Sequence, residues 1–271
     1  MLVLTGAYLL DNDLAVYSGS VIDVFGRLGV HEQATRSMLS RMAKRGLLER
    51  HRRGRRVYFG VTARTSQILR EGLERSFAPV EREWDERWTL FGFSLPDAWR
   101  SERHALRSRL LWAGFGRLQN GLWIAPSEVD VEGLLGGLGL REHIIVFTSR
   151  PSPPTDIDVL IRDAYDLERV RTLYEQFIER WEPWPDVEPK DRLAAHLLLQ
   201  THWLQLVRVD PRLPLPHLPR DWPAVRAEEL FKRLSRENAP VARALAAEVL
   251  DVIPVGSGVD GQEATSIGGL R

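Results

Sequence analysis

Cysteine is missing from all 271 residues, so disulfides, thiolate zinc sites and a cysteine nucleophile are excluded, and a reducing compartment fits. Net charge is missing as well: 37 Lys and Arg balance 37 Asp and Glu, so attraction to a polyanion has to come from where charge sits rather than from its sum. No apolar run approaches the roughly 20 residues that span a bilayer. The apolar start from Leu2 to Leu10 lacks a basic n-region and runs into Asp11 and Asp13, so it reads as the first helix of a domain rather than a signal peptide. A soluble, cytoplasmic protein with no membrane partner is expected. Nucleotide and hydrolase signatures are also absent. Gly133-Leu134-Leu135-Gly136-Gly137 lacks the Gly-Lys-Ser/Thr of a P-loop, and no serine sits in a nucleophile-elbow pattern. His196 and His202 are six apart and do not stack on one helical face as a metal-binding i, i+4 pair does. Neither a metal, a cofactor nor a catalytic site is therefore expected.

What the chain does have is a basic block. From Ser20 to Thr62 it carries Arg27, Arg36, Arg41, Lys44, Arg45, Arg50, Arg52, Arg53, Arg55 and Arg56 against only Asp23, Glu32 and Glu49, the footprint of a protein that sits on a phosphate backbone. Val21, Ile22, Val24, Phe25 and Leu28 recur at helical spacing, and Gly29 then allows a sharp turn. The next stretch places Ala34, Met38, Leu39, Met42, Ala43 and Leu47 on one helical face, with Gln33, Arg36, Ser37, Ser40, Arg41 and Lys44 mostly on the other, and Gly46 ends it. Such a helix packs its apolar stripe inward and offers guanidinium, amide and hydroxyl groups to base edges and phosphates. Two short strands, Leu47 to His51 and Val57 to Val61, flank Arg52-Arg53-Gly54-Arg55-Arg56. Four arginines on a glycine-centred turn repel one another unless an anion relaxes them, and DNA phosphate or a narrow minor groove is the common partner; a solvated charge run is the alternative.

Beyond this block a linking helix is predicted over about Ser66 to Trp84, broken near Pro79. The order that follows is strand (Trp88 to Ser94), helix (Arg100 to Ala113), strand (Phe115 to Gln119), strand (Leu122 to Ala125), helix (Val131 to Leu138) and strand (His143 to Thr148), which is the ferredoxin-like arrangement. Helices are predicted for Asp166 to Trp181, ended by the Pro183 to Pro189 stretch, for Asp191 to Val207, for Trp222 or Pro223 to Arg236, and for Pro240 to Val252. The tail from Gly256 is glycine-rich and is expected to be disordered. The fold class is α+β: a winged helix-turn-helix over 1–65, a linking helix over 66–84, a ferredoxin-like domain over 85–165, a helical C-terminal domain over 166–254 and a tail over 255–271.

The chain resembles the PaaX-type transcriptional repressors of phenylacetate catabolism over about residues 1 to 250. The resemblance rests on Gly29-Val30 leading into Glu32, on Arg36-Ser37 and Ser40-Arg41, and on Leu47-Leu48-Glu49 to Gly54-Arg55-Arg56-Val57-Tyr58. It continues through Trp88 to Pro96, Gly114-Phe115-Gly116 and Gly121-Leu122-Trp123-Ile124-Ala125-Pro126. One departure is His31, where similar proteins often carry an Asn that caps the helix. The resemblance implies a Cas2-like version of the central domain, a homodimer on an operator in double-stranded DNA, and release by an acyl-CoA effector such as phenylacetyl-CoA. Arg100, Arg103, Arg107 and Arg109 are candidates for CoA phosphates, or equally a solvated face or partners of nearby acids. Trp99, Trp112, Trp123, Trp184, Trp203 and Trp222 are candidates for an aryl pocket, or for core packing. The Cas2 comparison raises a metal-dependent nuclease as a rival. Such an enzyme needs a carboxylate at the end of its first strand to hold Mg²⁺, whereas Leu90-Phe91-Gly92-Phe93-Ser94 has none and Asp97 lies beyond Pro96, so the central domain reads as a scaffold for dimerisation or ligand binding. An architectural DNA binder without an effector is the third reading.

Overall fold

A computed structural model describes residues 1–10, 12–80, 84–119, 121–184 and 191–255. In chain order the elements are α1 (Leu2–Tyr8), β1 (Leu14–Tyr17), α2 (Ser18–Arg27), α3 (Glu32–Lys44), β2 (Leu48–Arg53), β3 (Arg56–Val61), α4 (Ala63–Phe77), β4 (Trp88–Phe93), α5 (Arg100–Trp112), β5 (Gly116–Gln119), β6 (Leu122–Ala125) and α6 (Val131–Leu135), then β7 (Ile144–Ser149), α7 (Ile157–Ala164), α8 (Leu167–Trp181), α9 (Arg192–Val207), α10 (Ala224–Val249) and β8 (Val252–Pro254). Two compact units result. One holds Met1–Ala78, Trp181–Leu204 and the described residues from Leu230 onward; the other holds Pro79–Arg180 and Gln205–Glu229. Residues 166–254, read from the sequence as one helical region, are thus shared between the two units. The tail from Gly256 and most of the Pro183 to Pro189 stretch lie outside the described residues.

In the first unit α1, α2, α3 and a four-stranded sheet of order β2-β3-β1-β8 enclose one core. Leu4, Leu9, Val16, Val21, Val24, Phe25, Leu39, Leu48 and Phe59 are joined there by Leu193 and Leu197 of α9, Ala242 and Ala246 of α10, Leu250 and Val252. The N-terminal helices and hairpin therefore share their apolar interior with residues far along the chain. β1 is flanked by β3 and β8, both antiparallel, with Val16 opposite Phe59 on one side and Val252 on the other.

In the second unit the sheet order is β5-β6-β4-β7, all antiparallel, and the β-α-β-β-α-β chain order matches the expected one. One sheet face packs Phe91, Phe115 and Trp123 against Leu106 and Leu110 of α5 and Leu135 of α6. The other packs Trp88 and Ile124 under Ile161 of α7 and Leu213. Tyr165 closes this face: its hydroxyl donates to the Ile124 carbonyl at 2.8 Å, and a Cβ on Gly116 would meet its ring at 2.6 Å. Only glycine leaves room for that ring.

Outside the β2–β3 hairpin, four features differ from the sequence reading. β1, α7 and β8 were not expected, because each is short and β1 lacks the alternation that marks a half-buried strand. α4 ends at Phe77 rather than Trp84, since Ala78, preceding Pro79, is held extended at φ −62°, ψ 133°. α6 stops at Leu135 rather than Leu138, before two glycines. α10 is continuous where two helices were expected, running through Pro240. Proline inside a helix costs about 3 kcal/mol, and burial of Leu234, Ala242 and Ala246 on either side offsets it.

Candidate nucleic-acid interface

α2, a turn and α3 form the centre of the basic block. Gly29 sits at φ +76° between the two helices, a conformation that costs an L-residue with a side chain about 1–2 kcal/mol. Buried Thr35 and Leu39, with half-buried Met38, Met42 and Ala43, form the inner face of α3. Ala34, assigned to that face from sequence, is exposed, and buried Thr35 replaces it, its hydroxyl donating to the His31 carbonyl at 3.4 Å. Gln33, Arg36, Ser40, Arg41 and Lys44 are exposed or half-buried, as is Ser37, so the six polar residues lie on the side away from the core. Arg36 is engaged within its own helix, at 2.6 Å from Glu32.

The start of α3 has no side-chain cap. His31 occupies the N-cap at φ −61°, ψ 146° and makes no capping hydrogen bond. Asn there can accept from the free N–H groups of the first turn, so His31→Asn is expected to raise stability by about 1 kcal/mol. Urea unfolding of both proteins reads this directly; an unchanged midpoint would mean that solvent already satisfies those groups.

The hairpin has a two-residue loop, Gly54 and Arg55, rather than the five-residue turn read from the sequence, because β2 runs on to Arg53 and β3 starts at Arg56. Arg53 pairs with Arg56, and of the loop residues Gly54 carries positive φ, +60°, the pattern of a type II′ turn. Leu48, Phe59, Val57 and Val61 face the core, and Arg52, Arg53, Arg55 and Arg56, at the far end of the hairpin, are exposed. The four arginines are not equivalent. Arg56 is 2.7 Å from Asp251 and lies 5.2 Å over the Tyr17 ring; Tyr58 contacts the same carboxylate at 3.2 Å. Burial pushes the Tyr58 phenol up, so it stays a neutral donor. Arg56 thus belongs to a cluster that ties the hairpin to the residue just before β8. Among the described residues, Arg52 and Arg55 have no such anchor.

Thr62 fixes the hairpin to α3. Its hydroxyl caps α4 by accepting from Thr65 N–H at 3.2 Å and donates to the Gly46 carbonyl at 3.0 Å, while Thr65 donates to the Leu47 carbonyl at 2.7 Å. These two threonines and the Tyr17–Tyr58–Asp251 cluster were not singled out from sequence. The threonine cap is legible as Thr62 before a helical run. Asp251 has no local signal, being 195 residues from Arg56. Arg50, stacked 5.6 Å from the Phe59 ring, and Arg45, exposed just after α3, extend the basic surface.

The remaining candidates have structural surroundings. Arg109 donates to the Leu134 and Gly136 carbonyls, both at 2.8 Å, and closes the end of α6. Arg103 donates to the Leu95 carbonyl at 2.9 Å, whereas Arg100 and Arg107 are exposed. The tryptophans are distributed over both units. Trp123 is buried against the α5 face, Trp203 stacks on Phe231 at 4.6 Å, Trp99 meets His143, Arg208 lies over Trp112, Arg171 over Trp222, and Trp184 neighbours Trp181. His196 is buried and desolvation lowers its pKa to about 4, while His202 accepts from Trp181 Nε1 at 3.2 Å. No group of three or more potential metal ligands occurs among the described residues. Asp97 is fully exposed, 3.7 Å from Arg103. No described helix is long and apolar enough to cross a membrane.

Three family models cover most of this architecture: PaaX-like protein at residues 1–65, PaaX protein central Cas2-like domain at 81–160, and PaaX-like protein C-terminal domain at 165–248. The chain belongs to the PaaX family. It is 26% identical over 246 residues to the transcriptional repressor PaaX of Escherichia coli (strain K12), covering 86% of this chain and 77% of that protein. Its fold is also that of the uncharacterized protein Rv0674 from Mycobacterium tuberculosis, with a TM-score of 0.59 at 21% identity, over 90% of this chain and 97% of the other.

Proposed function

We propose that the protein is a cytoplasmic transcriptional repressor that binds double-stranded operator DNA as a homodimer. In this reading residues 1–65 act as a winged helix-turn-helix, with α3 as the recognition helix and the β2–β3 hairpin as the wing. The observation that carries the reading is the solvent-facing row Gln33, Arg36, Ser37, Ser40, Arg41 and Lys44 on α3, next in the chain to a hairpin with an arginine-rich tip. One element suits the major groove and the other the phosphates or minor groove beside it. The kinship with a named transcriptional repressor supports the same role.

The controlled genes are those of an aromatic-acid, phenylacetate-type catabolic operon, and the signal is an acyl-CoA thioester resembling phenylacetyl-CoA. The thioester favours a conformation whose two recognition helices no longer match the operator, and a coupling of about 1–3 kcal/mol changes affinity roughly 5- to 150-fold. Fluorescence anisotropy on full-length protein tests the whole scheme. Promoter fragments bind more tightly than random duplex, and an aryl-acetyl-CoA releases them while the free acid and CoA alone do so much less. By linkage, saturating operator weakens thioester binding by the same factor. Calorimetry that finds no binding across a broad acyl-CoA panel would remove the effector and leave a DNA-binding protein with another signal. The nuclease alternative has a direct test in cleavage with divalent metal; β4 offers no carboxylate for the ion, and duplex and single strands are expected to stay intact.

A further inference from the structure

Three of the four sheet edges among the described residues are protected in ways that block strand addition. β2 carries Glu49, Arg50, Arg52 and Arg53 along its length. β8 is three residues long and ends in Pro254. β5 is four residues long with a register shift between Arg117 and Gln119. β7 has none of these devices. It reads Ile144-Ile145-Val146-Phe147-Thr148-Ser149, pairs in unbroken register with β4, and has no strand on its other side among the described residues. Ile145 and Phe147 are each 64% exposed and Val146 37%, so an apolar strand meets water on both faces as well as along its edge.

The hydrogen-bond phase of β7 follows from one contact. Ser94 N–H donates to the His143 carbonyl at 3.0 Å, which makes 94 and 143 a hydrogen-bonded pair. By the alternation of an antiparallel ladder, Ile145, Phe147 and Ser149 then bond inward to β4, and Ile144, Val146 and Thr148 direct N–H and C=O to the free edge.

We infer that β7 is the dimer seam of this protein: two copies join antiparallel along it, about a two-fold axis through Val146, into one continuous sheet. The inference deepens the homodimer proposed above and rests on that reading. With the axis at Val146, this residue pairs with the partner's Val146, and Ile144 pairs with the partner's Thr148. Each is a narrow pair that exchanges two hydrogen bonds, about six in all. Ile145 meets the partner's Phe147 in the close, non-bonded pairs, covering the most exposed apolar side chains. The same axis brings Glu142 opposite the partner's Arg150, a residue that within its own chain donates to the Asp85 carbonyl at 2.9 Å and lies 3.9 Å from Glu86, so opposite charges meet at the strand ends. A seam that repeats the same contacts on both sides closes after two copies.

The absence of cysteine makes the test clean. The Val146→Cys variant has one thiol, and narrow antiparallel pairs have Cα atoms about 5.5 Å apart, inside the range a disulfide spans. Mild oxidation of the full-length variant is expected to give a covalent dimer on a non-reducing gel. The double variant Ile145→Lys/Phe147→Lys, at positions already exposed, is expected to sediment as a monomer with unchanged circular dichroism. A native protein that sediments as a monomer at micromolar concentration overturns the proposal, as does a dimer in which the thiol introduced by Val146→Cys fails to cross-link, or one that persists in the double-lysine variant. Duplex binding by the native protein is measured alongside. DNA binding without the cross-link defeats the β7 seam alone, whereas the cross-link without DNA binding defeats the operator reading alone.

Discussion

Replacing Arg52, Arg53 and Arg55 together by Ala is expected to flatten the slope of log affinity against log salt by about 2.7, because each phosphate contact releases roughly 0.9 counterion from duplex DNA. Between about 50 and 200 mM salt the native protein then loses about 40-fold more affinity than the variant. The loss is the same on operator and random duplex, since phosphate carries no sequence. Folding survives, as all three residues are exposed at the hairpin tip. Arg56 does not belong with these three. The sequence presents four equal arginines, but the fold commits Arg56 to Asp251 and the Tyr17 ring. Arg56→Ala is therefore expected to loosen the hairpin from the residue before β8 and to change the salt slope less than an average tip arginine. A triple variant with the native slope would place the tip away from DNA and leave the cluster a solvated face.

The contrast between Arg56 and its neighbours marks how far the sequence could be read. α2, α3, the hairpin and the β-α-β-β-α-β order were all legible, because each is a local pattern: apolar residues at helical spacing, a glycine where the chain turns, or a strand bounded by turn residues. Contacts that close the first unit's sheet were not. β1 and β8 are four and three residues long, and what makes them strands is pairing with one another and with β3, which no periodicity reveals. Ala34 and Thr35 show the same limit on one helix face: a hydroxyl that can bond its own backbone reads as polar, yet Thr35 is the buried residue. Pro240 misled for the opposite reason. Its helix-breaking tendency is real, and the burial that outweighs it comes from other parts of the chain. On the candidate interface, the exposed basic residues were legible and their inequality was not, because partners such as Asp251 are distant in sequence.

That the first core includes Leu193, Leu197, Ala242 and Ala246 has a consequence for function. The helices that carry α3 and the hairpin rest on residues contributed by α9 and α10, so a change in those helices reaches the proposed DNA-binding surface through direct packing. A regulator that must alter its operator fit needs such a connection. It also argues for full-length protein in every binding measurement, since a fragment of residues 1–65 lacks part of its own core.

The proposed role of α3 in reading base edges supplies the second large effect. In helix-turn-helix proteins the N-terminal part of the recognition helix meets base edges, which here points to Gln33, Arg36 and Ser37, with Arg41 a turn further and Lys44 at the basic end. Arg36 starts paired with Glu32, but both side chains are more than half exposed, and such a pair is worth only about 0–1 kcal/mol. A bidentate contact to guanine, worth about 1–3 kcal/mol of discrimination, outcompetes it. Arg36→Ala is thus expected to cost about 1–3 kcal/mol on the operator and much less on random duplex, narrowing the ratio between them, and Arg41→Ala does the same if it too reaches a base edge. Lys44→Ala weakens both duplexes alike. Glu32→Gln, which frees Arg36 and removes a negative charge near phosphate, tightens both modestly. Competition titrations with operator and scrambled duplex at one salt concentration measure all four. Equal losses for Arg36→Ala on the two duplexes would reduce its role to phosphate contact, and unchanged operator affinity in both arginine variants would remove α3 as the reading element.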